Sequence, residues 1–212
     1  MNLIKPSIVY RYGNGLYVNL TNRCPTACVF CIKTKWKMDY RGANLNLENL
    51  EPSPTEVARL AALTYAEKSF DELVFCGYGE PAMRFDAVLE TARMVKSGGA
   101  FPVPAGIKIR LNTNGLANLI CERNVAPELK GLVDAVHISL NASEPGRWAE
   151  LMRPQARYAE KGFESVKDFI REAARVLPET IATIIDCDKQ ELAAFENLAA
   201  GLGAKTRVRA AL

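Results

Sequence analysis

The stretch Cys24-Pro25-Thr26-Ala27-Cys28-Val29-Phe30-Cys31 carries three cysteines in the spacing C-x-x-x-C-x-x-C. Cysteine thiolates hold iron–sulfur clusters, and a cluster of four irons normally takes four of them. The remaining cysteines, Cys76, Cys121 and Cys187, are scattered singly through the rest of the chain. The triplet therefore predicts a [4Fe–4S] cluster held by Cys24, Cys28 and Cys31, with one iron left open to a substrate or cofactor.

Two other uses of these cysteines can be weighed against a cluster. A zinc site usually combines two separate Cys or His pairs, and this chain has one triplet and a single histidine, His137. A disulfide framework belongs to small secreted chains. A module that binds zinc or a purely structural cluster stays open as an alternative of a different class, in which the protein is not an enzyme.

The composition indicates a globular protein of ordinary character. The chain has 212 residues, of which 49% are hydrophobic and 24% charged, and its net charge of +3 is too small to indicate nucleic-acid binding. Neither an export signal nor a membrane-spanning run is evident in the sequence. We therefore expect one domain over residues 1–212, located in the cytoplasm with reduced thiols and with no membrane partner.

The secondary-structure pattern predicts a hairpin and then alternating strands and helices. Residues 7–20 form the hairpin around an Asn-Gly signal, and its second arm leads into the cysteine loop. Apolar runs predict six barrel strands, over residues 16–20, 73–76, 107–111, 135–140, 181–185 and 207–209. Helix caps are predicted at Ser53 and Asp188, each followed by a helix, and helical periodicity predicts another helix over 163–176. Ser143 is expected to cap a short helix. The predicted fold is α/β, a partial (β/α)6 TIM-like barrel with an N-terminal β-hairpin.

Polar or glycine-bearing segments follow the first four predicted barrel strands. The cysteine loop follows the first strand, and the later ones end at Gly77–Pro81, at Asn112–Gly115 and at Ser139-Leu140-Asn141. In α/β barrels the active site lies on the loops at the carboxyl ends of the strands. This regularity predicts a functional face independently of the cysteines.

Together these motifs resemble the radical S-adenosylmethionine (radical SAM) superfamily. That resemblance implies that Phe30 gives backbone contacts to the adenine and that the segment after the second strand binds the methionine ammonium. Here this segment reads Gly77, Tyr78, Gly79, Glu80, so Tyr78 replaces the first glycine of the superfamily's Gly-Gly-Glu-Pro element. The residues implied to reach the ribose and the methionine carboxylate are Asn112, Asn114, Ser139 and Asn141.

The resemblance also implies the cofactors and the reaction class. They are a [4Fe–4S] cluster and S-adenosyl-L-methionine, which is cleaved reductively to a 5′-deoxyadenosyl radical that abstracts hydrogen from a substrate. An electron donor such as a flavodoxin or ferredoxin is then a partner. The runs 15–24, 75–81 and 112–116 look most like the small TatD-associated radical SAM proteins, which implies a functional link to a TatD-type nuclease. Within the enzyme class, an activating-type enzyme that acts on a partner protein is the alternative.

Strand alternation extends the prediction to the substrate. Residues two apart share a face of a strand, so Arg110 should point the same way as Asn112, and His137 the same way as Ser139. A guanidinium offers fixed paired donors to carboxylates and phosphates. We therefore predict an unidentified substrate with an anionic group, contacted by Arg110, with His137 as a proton-transfer or hydrogen-bonding partner; these two are the candidate catalytic residues.

Overall fold

The computed structural model describes residues 5–35 and 37–210 and has an α/β fold with a mostly parallel sheet, as the sequence predicts. Its contacts group the chain into two compact units. Unit 1 comprises residues 1–23 and 32–111, and unit 2 comprises residues 24–31 and 112–212. The single domain expected over 1–212 stays a prediction.

Unit 1 begins with the predicted hairpin. Strands β1 (Val9–Tyr12) and β2 (Gly15–Val18) pair antiparallel, with Tyr12 opposite Gly15. The two turn residues are therefore Gly13 and Asn14, one position before the predicted Asn-Gly, and Gly13 has the positive φ of 55° that such turns require. A second small hairpin is formed by β3 (Asp39–Tyr40) and β4 (Ala43–Asn44).

The rest of unit 1 follows the predicted alternation. β2 pairs parallel with β5 (Glu72–Phe75), and β5 pairs parallel with β6 (Lys108–Thr113), which continues into unit 2. The helical segments are α1 (Ile32–Lys35), α2 (Pro54–Glu67), a 3-10 turn at Pro81–Arg84 and α3 (Phe85–Lys96). The predicted cap is present, because the Ser53 hydroxyl accepts from the Glu56 N–H at 3.2 Å.

Unit 2 contains three further parallel strands in the order β7 (Ala135–Ser139), β8 (Glu179–Ile185) and β9 (Lys205–Arg209). Its helical segments are α4 (Ala117–Cys121), a 3-10 turn at Ala126–Leu129, α5 (Pro145–Met152), α6 (Ala156–Ala159), α7 (Gly162–Val176) and α8 (Lys189–Gly201). The six predicted barrel strands are thus β2, β5, β6, β7, β8 and β9, with ends that differ by at most two residues.

One predicted helix cap is wrong. Glu144, not Ser143, occupies the position before α5, and it makes no side-chain capping bond. The Ser143 hydroxyl instead donates to Glu191 Oε2 at 3.0 Å, and its N–H donates to the other oxygen of that carboxylate at 2.8 Å. The predicted cap at Asp188 is present, with its side chain accepting from the second and third residues of α8.

The core of unit 2 lies between its strands and α7. That helix buries one face, formed by Phe163, Val166, Phe169, Ile170 and Ala173, as its sequence period predicts. Across the ranges 5–35 and 37–210, no helix has the length and apolar content needed to cross a bilayer.

A substitution at Gly115, in the turn after β6, can test how closely the core of unit 2 is packed. It has a φ of +86°, and a Cβ there would lie 2.7 Å from Val166 Cγ1 and 2.8 Å from Ile138 Cγ2. Gly131→Ala is the matched control, since Gly131 has a φ of +76° but open space around its Cα. We expect Gly115→Ala to lower the free energy of unfolding by about 1–3 kcal/mol more than Gly131→Ala does, because only the former overpacks the core. Urea denaturation measures both, and equal losses would contradict the packing described here.

Candidate active site

The cysteine loop is held in place by the last turn of α5 and the residues that follow it. The Ala27 N–H donates to the Arg153 carbonyl at 3.1 Å, and the Val29 N–H donates to the Leu151 carbonyl at 2.9 Å. In the reverse direction the Gln155 N–H donates to the Pro25 carbonyl at 2.9 Å. These backbone bonds fix the course of the loop from residue 25 to residue 29, so the positions of the cysteines do not depend on side-chain packing alone.

Thr26 brings two of the three thiols together. Its Oγ1 lies 3.3 Å from Cys24 Sγ, and it accepts a hydrogen bond from Cys28 Sγ at 3.4 Å. Burial raises the pKa of the Cys28 thiol to about 11; the bond to Thr26 opposes this shift, and the thiols of Cys24 and Cys31 add to it. The thiols of Cys24 and Cys31 are therefore both near enough to Cys28 to act on it electrostatically.

A line of polar contacts leads away from Cys28. Cys28 Sγ lies 3.7 Å from Met152 Sδ, and Asn141 Nδ2 donates to Met152 Sδ at 3.3 Å. Asn141 Oδ1 accepts from Arg209 Nη2 at 3.0 Å, and the Arg209 guanidinium carbon lies 5.9 Å from the centre of the Phe30 ring. Within unit 2, the predicted site residue Asn141 thus lies beside the cysteine loop, and Phe30, which belongs to the loop, lies near Arg209.

The other predicted polar residues of unit 2 lie at strand ends. Asn114 is buried; its Oδ1 accepts from the Leu116 N–H at 3.0 Å, and its Nδ2 lies 4.0 Å from Cys24 Sγ. Asn112 and Ser139 are both half-buried, in β6 and at the end of β7. The structure therefore brings Asn114 close to a cysteine and leaves Asn112 and Ser139 partly accessible.

In unit 1 the Gly77–Pro81 segment packs against residues 19–23. A Cβ on Gly79 would overlap the carbonyl oxygen of Thr21, and a Cβ on Gly77 would overlap Asn19 Oδ1. The Glu80 N–H donates to the Arg23 carbonyl at 2.9 Å. Glycine is required at position 79 because two backbone segments approach each other too closely there for any side chain. At position 77 glycine leaves room for the Asn19 side chain.

The side chains of this segment have structural partners. Glu80 is 3% exposed, and its Oε1 accepts from the Ala82 N–H at 3.0 Å, which caps the 3-10 turn. The Tyr78 side chain is also buried, and its hydroxyl donates to the Asp39 carbonyl at 3.2 Å. Tyrosine can replace the usual glycine here because its ring packs toward β3, where it has a hydrogen-bond acceptor.

Arg110 is paired with a glutamate at the start of a neighbouring strand, and His137 lies near another such glutamate. Arg110 is 6% exposed and donates to both oxygens of Glu72, at 2.6 and 3.1 Å, and to the Tyr17 hydroxyl at 3.0 Å. Burial disfavours its charge, but these bonds more than offset that and raise its pKa. His137 Nε2 lies 3.7 Å from Glu179 Oε1. The catalytic role of both residues stays a prediction, and these pairs show what each contacts.

The three thiols of the cysteine loop are the kind of ligand that an iron–sulfur cluster requires. Across residues 5–35 and 37–210 no group of three His, Cys, Asp or Glu side chains is already arranged as a metal site. The loop nevertheless offers three soft sulfur donors within eight residues, two of them touching one hydroxyl. Iron–sulfur clusters use such thiolate donors. The residues present therefore fit a cluster in their chemistry and their placement on one anchored loop.

Two residues beside the cysteines were not among the predicted site residues: Thr26 and Met152. Thr26 lies inside the motif, so its position between two cysteines was a usable signal. Met152 lies more than a hundred residues further along the chain, and nothing in the sequence connects it with Cys28. For the last strand, the sequence predicts that one of Arg207 or Arg209 adds to the polar interior, without choosing between them.

Comparison with known proteins identifies a family for most of the chain. The model of the radical SAM superfamily matches residues 18–199. The GTP 3′,8-cyclase of Pelotomaculum thermopropionicum is 33% identical over 141 residues, which are 66% of this chain and 38% of that protein. The GTP 3′,8-cyclase of Mycolicibacterium smegmatis is 30% identical over 144 residues, 68% of this chain and 35% of that protein. The chain thus spans little more than a third of the length of these curated relatives.

A solved structure supports the fold. The crystal structure of methylornithine synthase (PylB) superposes with a TM-score of 0.57 and 12% sequence identity, covering 93% of this chain and 53% of that one. At this identity the likeness concerns the fold alone. It confirms the predicted partial TIM-like barrel.

The ion pair of Arg110 leads to a stability prediction. We expect Arg110→Gln to lower the free energy of unfolding by about 2 kcal/mol, because it leaves the Glu72 carboxylate, whose side chain is 25% exposed, without its partner. Arg147→Gln is the control: it breaks an exposed pair with Glu150 and should cost at most about 0.5 kcal/mol. Thermal and urea denaturation measure both. An Arg110→Gln protein as stable as the parent would argue against the structural role and favour the catalytic one.

Proposed function

The chain belongs to the radical SAM superfamily and is an enzyme of that class, and from this premise we propose that Cys24, Cys28 and Cys31 bind a [4Fe–4S] cluster whose open iron takes S-adenosyl-L-methionine. One observation carries the proposal: the three thiols lie on a single loop that is fixed by backbone hydrogen bonds to residues 151–155. A purely structural metal site would not need the polar segments that also follow β5, β6 and β7.

When bound, the cluster supplies the electron that splits S-adenosylmethionine into methionine and a 5′-deoxyadenosyl radical, which takes a hydrogen atom from the substrate. The residues of this chain bind and orient the cofactor. Residues 77–80 are proposed to receive the methionine ammonium, chiefly through backbone groups, because the side chains of Tyr78 and Glu80 are engaged within unit 1. Phe30 is proposed to contact the adenine through its backbone.

The remaining proposed cofactor contacts come from strand ends in unit 2. Half-buried Asn112 and Ser139 can present their side chains to the ribose or the carboxylate, while Asn114 has its Oδ1 in a turn and its Nδ2 toward Cys24. Asn141 is proposed as a fourth contact, although both ends of its amide already have protein partners. We therefore expect Ser139 to contribute more binding energy than Asn141.

The substrate class is proposed to carry an anionic group. The relatives are named for their action on GTP, a triphosphate, and this supports an anionic substrate without identifying it. The residue predicted to bind the anion, Arg110, already pairs with Glu72. Binding of the anion by Arg110 would therefore require competition with that carboxylate.

Further parts of the proposal rest on the narrower sequence resemblance. The runs 15–24, 75–81 and 112–116 support a place among the small TatD-associated radical SAM proteins, and with it a functional link to a TatD-type nuclease. Reduction of the cluster is proposed to draw on a flavodoxin or ferredoxin in the cytoplasm.

The cysteine triplet gives the direct test of this function. Single changes Cys24→Ala, Cys28→Ala and Cys31→Ala should each remove most of the bound iron and reduce formation of 5′-deoxyadenosine by at least about a hundredfold, since each removes one of only three protein ligands. Iron and sulfide analysis after anaerobic reconstitution, with mass-spectrometric measurement of 5′-deoxyadenosine, provides the readout. Cys121→Ala, on α4, is the control and should behave as the parent. Full cleavage activity in any triplet variant would refute the assignment.

Glu80 gives a second test, on cofactor binding. We expect Glu80→Ala to weaken binding of S-adenosylmethionine about tenfold or more while the iron content stays close to that of the parent, because the lost cap loosens the segment proposed to hold the ammonium. Glu80→Gln keeps an acceptor for the Ala82 N–H and should retain most of the affinity. Equilibrium titration of reconstituted protein measures the dissociation constants. Unaltered affinity in Glu80→Ala would remove this residue from the proposed site.

A further inference from the structure

Arg209, Asn141 and Met152 connect the end of β9 to Cys28 through three successive contacts. Arg209 Nη2 donates to Asn141 Oδ1 at 3.0 Å, Asn141 Nδ2 donates to Met152 Sδ at 3.3 Å, and that sulfur lies 3.7 Å from Cys28 Sγ. Met152 is fully buried and Asn141 is 2% exposed. The line therefore runs through the interior of unit 2 and ends at a proposed cluster ligand.

Arg209 decides which way the Asn141 amide faces. The two ends of a carboxamide are nearly equal in size, but one is an acceptor and the other a double donor. A guanidinium only donates, so it holds the oxygen of Asn141 toward β9 and leaves the NH2 group toward the Met152 sulfur. The backbone of Asn141 is fixed as well, since its N–H donates to the Thr183 carbonyl at 3.0 Å.

Arg209 also places a positive charge beside the cysteine loop. Its guanidinium carbon lies 5.9 Å from the centre of the Phe30 ring, and Phe30 directly precedes Cys31. Reduction of a cluster adds one negative charge. Nearby positive charge and hydrogen-bond donors aimed at the ligand sulfurs stabilise that added charge, and both features are known to set cluster potentials.

We propose that Arg209 is a positioning residue that turns the Asn141 NH2 group toward Met152, whose sulfur contacts Cys28, and that its charge and this orientation together raise the reduction potential of the cluster. This inference rests on the function proposed above. The step concerned is uptake of one electron by the oxidised cluster from an external low-potential donor. Removal of the guanidinium removes its positive charge. It also allows the Asn141 oxygen to face the Met152 sulfur. Both changes make the reduced form of the cluster less stable.

The test is an anaerobic redox titration of reconstituted protein, followed by electron paramagnetic resonance with S-adenosylmethionine absent. We expect Arg209→Gln to lower the equilibrium constant of one-electron reduction about tenfold, which corresponds to a reduction potential lower by about 59 mV. Arg207→Gln is the matched control, since it removes the same charge from an exposed position on the same strand. It should titrate as the parent, and Arg209→Lys should recover most of the loss in Arg209→Gln.

The outcomes separate this inference from the proposed function. A parent protein without a reducible cluster would overturn both. A parent with a normal cluster and an Arg209→Gln variant of unchanged potential would overturn this inference alone. If Arg209→Gln does not retain iron, Asn141→Gly replaces it, because Asn141 has a φ of +62° that glycine adopts without strain. A lowered potential in Asn141→Gly supports the inference, and an unchanged one overturns it.

Discussion

The backbone pairing between the cysteine loop and residues 151–155 is the constraint on which the proposed site depends. A loop of eight residues with three thiols has many conformations, and fixing each residue costs about 1–2 kcal/mol of conformational entropy. Hydrogen bonds at Pro25, Ala27 and Val29 hold it in one course before any metal binds. Met152 lies within the segment they pair with, so the same segment that anchors the loop also places a sulfur beside Cys28.

Unit 1 depends on a different constraint, the close approach of the Gly77–Pro81 segment to residues 19–23. Gly79 lets the two backbones come together, and Gly77 leaves room for the Asn19 side chain. The Glu80 N–H then donates to the Arg23 carbonyl. The buried carboxylate of Glu80 then caps the following turn. These residues match the family motif, yet their immediate physical role is to shape backbone, which leaves backbone groups rather than side chains to meet a ligand.

The elements with a clear sequence period were predictable, and the long-range partners were not. Apolar runs and helical spacing depend on local chemistry, so the six strands and α7 were found with small errors at their ends. The cap at Ser143 failed because its N–H and hydroxyl both donate to the carboxylate of Glu191, far along the chain. Strand alternation predicted that Arg110 shares a face with Asn112, and no pattern in the sequence indicates that Glu72 contacts Arg110. Likewise Met152 reads as an ordinary core residue.

The central claim is that the three thiols hold a cluster with one iron open to S-adenosylmethionine. Electron paramagnetic resonance of the reconstituted, dithionite-reduced parent protein, recorded with and without S-adenosylmethionine, tests it most directly. A ligand on the open iron changes the electronic environment of the cluster. The account predicts the signal of a reduced [4Fe–4S] cluster whose g values shift when S-adenosylmethionine is added. A protein that holds stoichiometric zinc and no iron, or an iron signal unaffected by S-adenosylmethionine, would contradict it.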